Sequence, residues 1–246
     1  MRIDLNADLG EGCGDDDAML AVVSSGSVAC GGHAGDSDSM HTTSAAARRR
    51  RVRVGAHPSY EDRLNFGRVA LHVAPADLER QVLGQLRMLS TATQQVGIPV
   101  VYAKPHGALY HAVMTDPAHA AAVVRAVAQF APGLPVLGPP HSLFLRLAQD
   151  AGLHPVAEGF ADRAYRPDGT LVPRTAAGAV LRDTAQVVAQ ALMIATERRV
   201  VAVDGSVVEV SVESICLHGD TPGAVHLATA VRAALLASGV DVVPFA

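Results

Sequence analysis

The sequence predicts an α/β fold with one β/α barrel domain that spans residues 1–246. Short apolar runs alternate with longer amphipathic stretches along the chain, a pattern typical of repeated β-α units and a parallel sheet. Nearly every apolar run leads into a loop that carries histidine or aspartate. In a closed barrel such loops meet at one mouth, whereas an open sheet would concentrate them at a single crossover point. We therefore expect a barrel with one polar mouth.

The order of elements follows from these runs. The candidate strands are Ile3–Ala7, Ser27–Cys30, Val52–Ala56, Val100–Lys104, Pro135–Gly138, Val156–Phe160, Ser214–Leu217 and Val240–Val243. The clearest helices are Pro75–Val96, Asp116–Phe130, Ser142–Ala151, Thr184–Arg198 and Ala224–Ser238. Proline opens the first helix, and glycine follows the first and the last. The segment Val200–Val212 departs from the alternation and predicts a small β excursion before the last barrel strand.

Composition narrows the class of protein. Of the 246 residues, 49% are hydrophobic and 18% are charged, a balance typical of a globular protein. The net charge of −4 argues against nucleic acid as a partner, because proteins that bind a phosphate backbone usually present a basic face. Polar residues interrupt every apolar run well before the roughly 20 residues that a membrane helix needs. The three cysteines show no CxxC spacing, as expected in a reducing compartment. We expect a cytoplasmic protein that binds neither nucleic acid nor membrane.

The first strand carries acidic residues with a period of two. Asp4, Asn6 and Asp8 therefore face one side of the strand, and Glu11 follows in a glycine-rich turn. In a barrel that side points inward, where carboxylates are costly unless they meet cations, hydrogen-bond donors or a metal. We expect Asp8 and Glu11 to lie at the mouth. Asp4 and Asn6 could either act there or only brace neighbouring loops.

Two histidines follow the next two strands. His33, with Asp36 three residues beyond it, ends the second strand, and His57 ends the third. Histidines at successive strand ends could bind a metal, relay protons or hold an oxyanion. No HExxH motif or dense Cys/His cluster fixes a metal geometry, so the sequence leaves metal binding open.

The fourth strand ends in a lysine that is unusual for this chain. Lys104 is the only lysine, while the other 19 of the 20 basic residues are arginine. A position that keeps lysine could require a compact ammonium or an amine whose pKa falls on burial. His106 lies two residues further on, although Pro105 suggests that the strand is ending there.

Two later segments add charged residues to the predicted mouth. Asp162, Arg163 and Arg174 surround a Pro-Asp-Gly turn that predicts a small hairpin lid. The arginines are suited to a substrate carboxylate or phosphate, although Asp162 and Arg163 could equally form local ion pairs. His218 and Asp220 follow the seventh strand. The chain has neither a GxSxG elbow nor a GxxxxGK phosphate loop, so any ATP is held differently or by another chain.

Six segments, taken in order, resemble the signature motifs of the LamB/YcsF family, whose members form one of the component chains of 5-oxoprolinase. They are IDLNADLGEG, ACGGHAGD, GAHPSY with DRLNFGR, KPHGALY, FADRAY with DGTLVPR, and ICLHGD. The resemblance covers the chain from Ile3 to Asp220 and continues into the last helix. Gly32 stands where the family usually has Phe, and His111 stands where Asn is common.

The resemblance implies a seven-stranded β/α barrel of the glycoside hydrolase and deacetylase type. It also implies that the chain works with 5-oxoprolinase subunits B and C to convert 5-oxo-L-proline, ATP and water into L-glutamate, ADP and phosphate. ATP is then a co-substrate, for which Mg²⁺ would be a suitable companion ion, and the identity of any other metal is left open. In this interpretation an arginine, Arg163 or Arg174, binds the substrate carboxylate, and Lys104 and His106 stabilise developing negative charge. Asp8, His33 or His57 transfers the proton and positions the attacking water. The other residues expected to bind the substrate are Glu11, Asp36, Asp162, His218 and Asp220.

Two other functions fit the same residues. Asp8, His33 and His57 at successive strand ends would suit a metal-dependent amide hydrolase or deacetylase that acts alone. The absence of a phosphate loop would suit a component that only binds the lactam while its partners do the chemistry. Tightly bound metal and activity without ATP would indicate the metal-dependent hydrolase. Variants that raise KM and leave kcat unchanged would indicate the component that only binds the lactam.

Overall fold

Seven parallel strands close into a barrel. The computed structural model describes all residues 1–246, and its strands are β1 (Arg2–Leu9), β2 (Ser25–Ala29), β3 (Arg53–His57), β4 (Tyr102–Ala103), β5 (Pro135–Gly138), β6 (His154–Phe160), β7 (Arg199–Val201), β8 (Val207–Glu209), β9 (Ser214–Leu217) and β10 (Asp241–Val242). Strands β1 to β6 and then β9 pair side by side, and β9 pairs back with β1. The predicted β/α barrel is therefore confirmed.

The helices surround this barrel. They are α1 (Asp16–Leu20), α2 (Ser37–Arg50), α3 (Pro75–Gln95), α4 (Gly107–Thr115), α5 (Pro117–Phe130), α6 (Leu143–Asp150), α7 (Thr184–Leu192), which continues into a π-helical turn (Met193–Glu197), and α8 (Ala224–Ala237). All five predicted helices are present. Helix α4 escaped prediction because it is short, begins with glycine and has no side-chain cap. None of the helices combines the length and apolar character that a membrane span requires.

Two predicted β segments lie outside the barrel. Strands β7 and β8 form an antiparallel hairpin, which confirms the β excursion predicted for Val200–Val212. The last predicted strand, Val240–Val243, is present as β10 but pairs only with the first residues of β1, below the barrel. It extends the edge of β1 and is not a member of the closed ring.

The strands divide their residues between two environments. On β1, Leu5, Ala7 and Leu9 belong to a cluster of 56 buried residues that fills the space between barrel and helices. The alternate residues of the same strand, Asp4, Asn6 and Asp8, are also buried but lie among polar groups inside the barrel. The period-two pattern of the sequence thus predicted the inward face correctly.

Aromatic side chains close the lower end of the barrel. The Tyr102 ring lies across the interior, where its hydroxyl is 3.0 Å from the Ser27 hydroxyl. A Cβ on Gly55 would lie only 2.2 Å from this ring, so the crossing requires glycine at that position. Phe245, near the C-terminus, packs against Tyr102 from below with ring centroids 5.2 Å apart. Access to the interior is therefore from the other end, where the parallel strands finish.

Candidate active site

A cavity of about 540 Å³ opens at the C-terminal ends of the barrel strands. Its wall includes the ends of β3, β6 and β9, the start of α4 and the segment that follows β6. Seven of the residues predicted for the site line it: Asp8, His57, Lys104, His106, Arg163, Arg174 and His218. The structure therefore brings together residues that are up to 210 positions apart in the chain.

Lys104 lies at the floor of this cavity and binds groups from three strands. Its ammonium is 3.0 Å from Asp8 Oδ1, 3.1 Å from Asn6 Oδ1 and 3.2 Å from Glu158 Oε2. Cys216 Sγ lies 3.2 Å away. Only 2% of the lysine side chain is exposed, so these contacts replace its hydration shell.

The charges of this network stabilise one another. Burial alone would lower the pKa of Lys104, but Asp8, Cys216 and Glu158 raise it well above its usual value. Burial would likewise raise the pKa of Asp8, yet His57 and Lys104 hold it well below its usual value. Of the two reasons that the sequence offers for a lone lysine, the structure thus favours the compact ammonium over the neutral amine.

Beside this network, the side chains of Glu11, His33, His57 and His106 form what we term the histidine cluster. One potential metal-ligating atom from each lies within 4.8 Å of the others. His33 and His106 stack with ring centroids 3.6 Å apart, and the His57 ring stands nearly perpendicular to both. The cluster could hold a metal ion.

Burial governs the ionisation of this cluster. It raises the pKa of Glu11 to about 7, with a further contribution from the charge of Asp8. It also lowers the pKa of His33 to about 3 and that of His106 well below its usual value. His57 is the exception, because Asp8 outweighs burial and raises its pKa. Charge in this part of the mouth is thus concentrated on Asp8 and His57.

Asp162 positions His218. One oxygen of this carboxylate accepts from the His218 backbone N–H at 2.9 Å, and His218 Nδ1 lies 2.9 Å from the same oxygen. Burial would raise the pKa of Asp162, but His218 lowers it below the usual value. The Phe160 ring stacks on the imidazole, with centroids 5.4 Å apart. His218 therefore has one orientation at the cavity wall, and its Nε2 is free of these contacts.

Four arginines also line the cavity, and we call Arg68, Arg163, Arg166 and Arg174 the arginine rim. Arg174 makes a two-pronged contact with Asp220, at 2.8 and 2.9 Å, and Arg68 binds the same carboxylate. Burial would raise the pKa of Asp220, but Arg174 lowers it to about 2. The rim keeps a positive excess, because Asp220 is the one carboxylate that forms ion pairs with it and contacts only Arg68 and Arg174.

Arg163 is tied to the segment after β6. Its guanidinium donates to the carbonyls of Val172 and Ala179, at 2.6 and 3.2 Å, so it both lines the cavity and fixes this segment. A bridge between Tyr165 and Leu171 closes the turn predicted there. Arg163 forms no ion pair with Asp162, the local alternative that the sequence had left open.

Asp36 lies outside the cavity. Its side chain is exposed and accepts from the Ser39 backbone N–H at 2.8 Å, while the Ser39 hydroxyl accepts from the Asp36 N–H. This reciprocal pair caps helix α2. The structure therefore places Asp36 at the start of α2 and outside the cavity lining, and its role in substrate binding stays a prediction.

Comparison with known proteins agrees with this architecture. The LamB/YcsF family model matches residues 3–246. The chain belongs to the LamB/YcsF family. The 5-oxoprolinase A subunit of Mycolicibacterium paratuberculosis is 52% identical over 248 residues, which cover 99% of this chain and 98% of the relative.

Solved structures extend this likeness to the fold. The structure of the lactam utilization protein from Thermus thermophilus matches with a TM-score of 0.94 and 38% identity, and the match covers 100% of both chains. A structure described as T48 deacetylase matches with a TM-score of 0.51 at 12% identity, over 98% of this chain and 87% of the other, and shows the fold alone. The predicted deacetylase-like barrel is thus confirmed.

Two site residues of this LamB/YcsF chain escaped selection from the sequence. Arg68 stands within the DRLNFGR segment, and Glu158 stands two residues before Phe160 on β6. For Arg68 the family motif was the available signal. The period-two rule could have found Glu158, because it places this residue on the same inward face as Phe160.

The two departures from the family pattern have different structural contexts. A Cβ on Gly32 would lie 2.4 Å from Ser59 Oγ and 2.6 Å from Gln85 Oε1. Gln85 occupies this space and binds the backbone N–H and carbonyl of Ser59 at 2.9 and 2.8 Å. His111 is exposed at the edge of the cavity.

Proposed function

We propose that this chain is the A subunit of an ATP-dependent 5-oxoprolinase, which opens the lactam amide of 5-oxo-L-proline to give L-glutamate. The observation that carries the proposal is the full-length similarity, at 52% identity, to a protein named as the A subunit of 5-oxoprolinase. The likeness to a lactam utilization protein supports the same substrate class. Subunits B and C are the proposed partners, and the three free cysteines suit a cytoplasmic location.

ATP has a clear chemical purpose in this reaction. The lactam is a stable amide, and transfer of a phosphoryl group from ATP to its oxygen makes the ring carbon a better electrophile. One water then adds to that carbon and the ring C–N bond breaks as the amine takes up a proton, which leaves the new carboxyl group as an acyl phosphate. A second water hydrolyses the acyl phosphate and releases phosphate. The products are L-glutamate, ADP and phosphate. Because this chain has no GxxxxGK motif, we assign the binding of Mg²⁺-ATP to a partner chain.

The two sides of the cavity suit the two ends of the substrate. The positive excess of the arginine rim would hold the substrate carboxylate, with Arg174 as the principal contact. The lactam ring would then lie over Lys104, whose buried ammonium can stabilise negative charge that develops on the lactam oxygen or its phosphoryl group. Asp8 would orient the attacking water, and His106 and His218 border the same space.

Reconstitution tests the proposal. Glutamate release from 5-oxoproline is measured with this chain alone and with its two partner subunits, each with and without ATP. We expect release only in the complete mixture with ATP. No release in a mixture whose partners are active with a homologue of this chain would overturn the assignment. If Lys104→Met raises KM for 5-oxoproline and leaves kcat unchanged, the chain binds the lactam but performs no chemistry.

A further inference from the structure

Three atoms of the histidine cluster lie at mutual distances that suit one small metal ion. His106 Nδ1 is 3.0 Å from His57 Nε2 and 3.4 Å from Glu11 Oε1, and His57 Nε2 is 4.0 Å from the same oxygen. Tetrahedral coordination with bonds of about 2.0–2.1 Å places ligand atoms about 3.3–3.4 Å apart. The observed distances bracket this value, so small side-chain movements would complete the site.

The remaining nitrogens of both histidines are anchored to backbone carbonyls. His57 Nδ1 lies 2.8 Å from the Lys104 carbonyl, and His106 Nε2 lies 3.0 Å from the Phe66 carbonyl. A carbonyl oxygen can only accept, so each anchored nitrogen carries the proton. The other nitrogen of each ring faces the centre of the cluster, and in His57 it also lies 3.4 Å from Asp8 Oδ1. A metal ion that binds there takes the place of any proton on that nitrogen and meets its lone pair. Histidine ligands of metals show this outer hydrogen bond as a rule.

The stacking of His33 on His106 decides which of the two is a ligand. Their planes are parallel to within 6°, so both rings cannot direct in-plane lone pairs at one ion. The hydrogen bond between His106 Nε2 and the Phe66 carbonyl favours His106 as the metal ligand. His33 Nε2 lies 3.0 Å from Glu11 Oε1, and its Nδ1 lies 3.0 Å from the Ser59 hydroxyl, which itself donates to the Tyr60 carbonyl at 2.8 Å. His33 is thus in hydrogen-bond contact with both Glu11 and Ser59, and it orients the Glu11 carboxyl group.

The loop after β3 holds the rings in place. Phe66 packs edge-on against both His33 and His106, at 5.3 and 5.6 Å between ring centroids. Gly67, at φ +63°, leaves no room for a side chain, because a Cβ there would lie 2.8 Å from His33 Cβ and 3.0 Å from His106 Cδ2. This packing fixes the ring positions before any ion binds, which lowers the entropic cost of binding.

We infer that Glu11, His57 and His106 bind one divalent transition-metal ion of the zinc class at the cavity wall, with His33 as the outer partner of Glu11. Two imidazoles and one carboxylate select such ions over Mg²⁺ or Ca²⁺, which prefer oxygen ligands. Three protein ligands leave a coordination position open, and His57 and His106 both line the cavity. A bound ion would supply a Lewis acid there. The site is inferred independently of the proposed function.

Metal binding to the isolated chain tests the inference. Chelator-treated protein is incubated separately with Zn²⁺, Co²⁺, Mn²⁺ and Mg²⁺, desalted, and analysed for bound metal per chain. We expect one equivalent of Zn²⁺ or Co²⁺, a visible absorption band from Co²⁺ in a low-coordinate nitrogen and oxygen site, and no retained Mg²⁺. Glu11→Gln and His106→Asn should each weaken Zn²⁺ binding by at least about tenfold, the lower end of the effect of lost site partners.

The control is His111→Asn, which removes a histidine from the edge of the same cavity and should keep the full equivalent. Circular dichroism establishes whether each variant is folded. Glu11→Gln and His106→Asn each test the site without the other, so one variant is sufficient if the other fails to fold. Folded wild-type chain that retains no Zn²⁺ or Co²⁺, or ligand variants that bind as tightly as wild type, would contradict the site. Either result leaves the glutamate-release assay of the proposed function unaffected.

Discussion

The inside of the barrel and the layer between the barrel and its helices are equally buried but are built from opposite residue types. Leu5 and Ala7 of β1 pack into the apolar layer, whereas Asp4 and Asn6 of the same strand lie in a hydrogen-bonded polar interior. The layer is stabilised by apolar area removed from water, at about 25 cal/mol per Å². The interior depends on each charge having its partner. The layer therefore stabilises the fold, while the interior supplies groups for chemistry.

Loss of the central cation should have the largest effect. Lys104→Met removes the ammonium that contacts Asp8 and Glu158 and leaves two buried carboxylates without it. We expect kcat for glutamate release to fall by about 10²–10³-fold, as for the loss of a group that stabilises an oxyanion. The free energy of unfolding should fall by about 3–5 kcal/mol, the typical result of breaking a buried ion pair. Steady-state kinetics and urea unfolding measure the two effects.

A change in the apolar layer should separate stability from activity. Leu86, on α3, is fully buried in this layer. Leu86→Ala should lower the free energy of unfolding by about 2–5 kcal/mol through lost burial and a cavity. The kcat per folded chain should stay within about twofold of wild type at a temperature where the variant is folded, since Leu86 does not line the mouth. A loss of kcat comparable with that of Lys104→Met would show that the two regions are not separable.

The interior should also carry a pH dependence that the apolar layer lacks. Burial raises the pKa of Asp4 to about 6 from a usual value of 3.8, despite hydrogen bonds from Ser214, Ser24 and Ser25. The folded chain thus binds this proton more tightly than the unfolded chain. The resulting stabilisation is fully present below about pH 4 and is lost as the pH rises through about 6.

Asp4→Asn removes this titration. The unfolding free energy of the variant minus that of wild type should therefore rise by about 3 kcal/mol between about pH 4 and about pH 7. Taking the difference cancels the titration of groups that both proteins share. Urea unfolding at several pH values measures it. A difference that stays constant across this range would mean that Asp4 is ionised in the folded state with an ordinary proton affinity.

The contrast between the two regions explains which parts of the fold and of the site could be predicted from the sequence. Alternation along β1 was sufficient to place Asp4, Asn6 and Asp8 inside, because side chains of a strand alternate strictly. The single lysine pointed to Lys104, which is the centre of the interior network. Glu158 was missed because strand β6 reads as an apolar run, and only its pairing with β9 shows which partners it meets.

Loops were harder to interpret than strands. Asp36 and Asp220 both follow a strand and a histidine, yet Asp36 caps α2 and Asp220 joins the arginine rim. The sequence did contain a capping signal, since Ser39 stands three residues after Asp36. The stacking of His33 on His106 had no local signal, because it arises from loops 73 residues apart in the chain.

The rim, where the interior meets solvent, should show the smallest effect. Arg174 is 24% exposed and shares Asp220 with Arg68, so water and a second cation both compensate for its loss. Arg174→Gln should raise KM for 5-oxoproline by about tenfold, with little change in kcat, because a carboxylate contact remote from the reacting bond contributes equally to substrate and transition state. The matched control is Arg182→Gln, which removes an exposed charge outside the cavity and should leave KM within about twofold. A fall in kcat with unchanged KM would instead indicate that Arg174 contacts the reacting lactam and, like Lys104, stabilises the transition state.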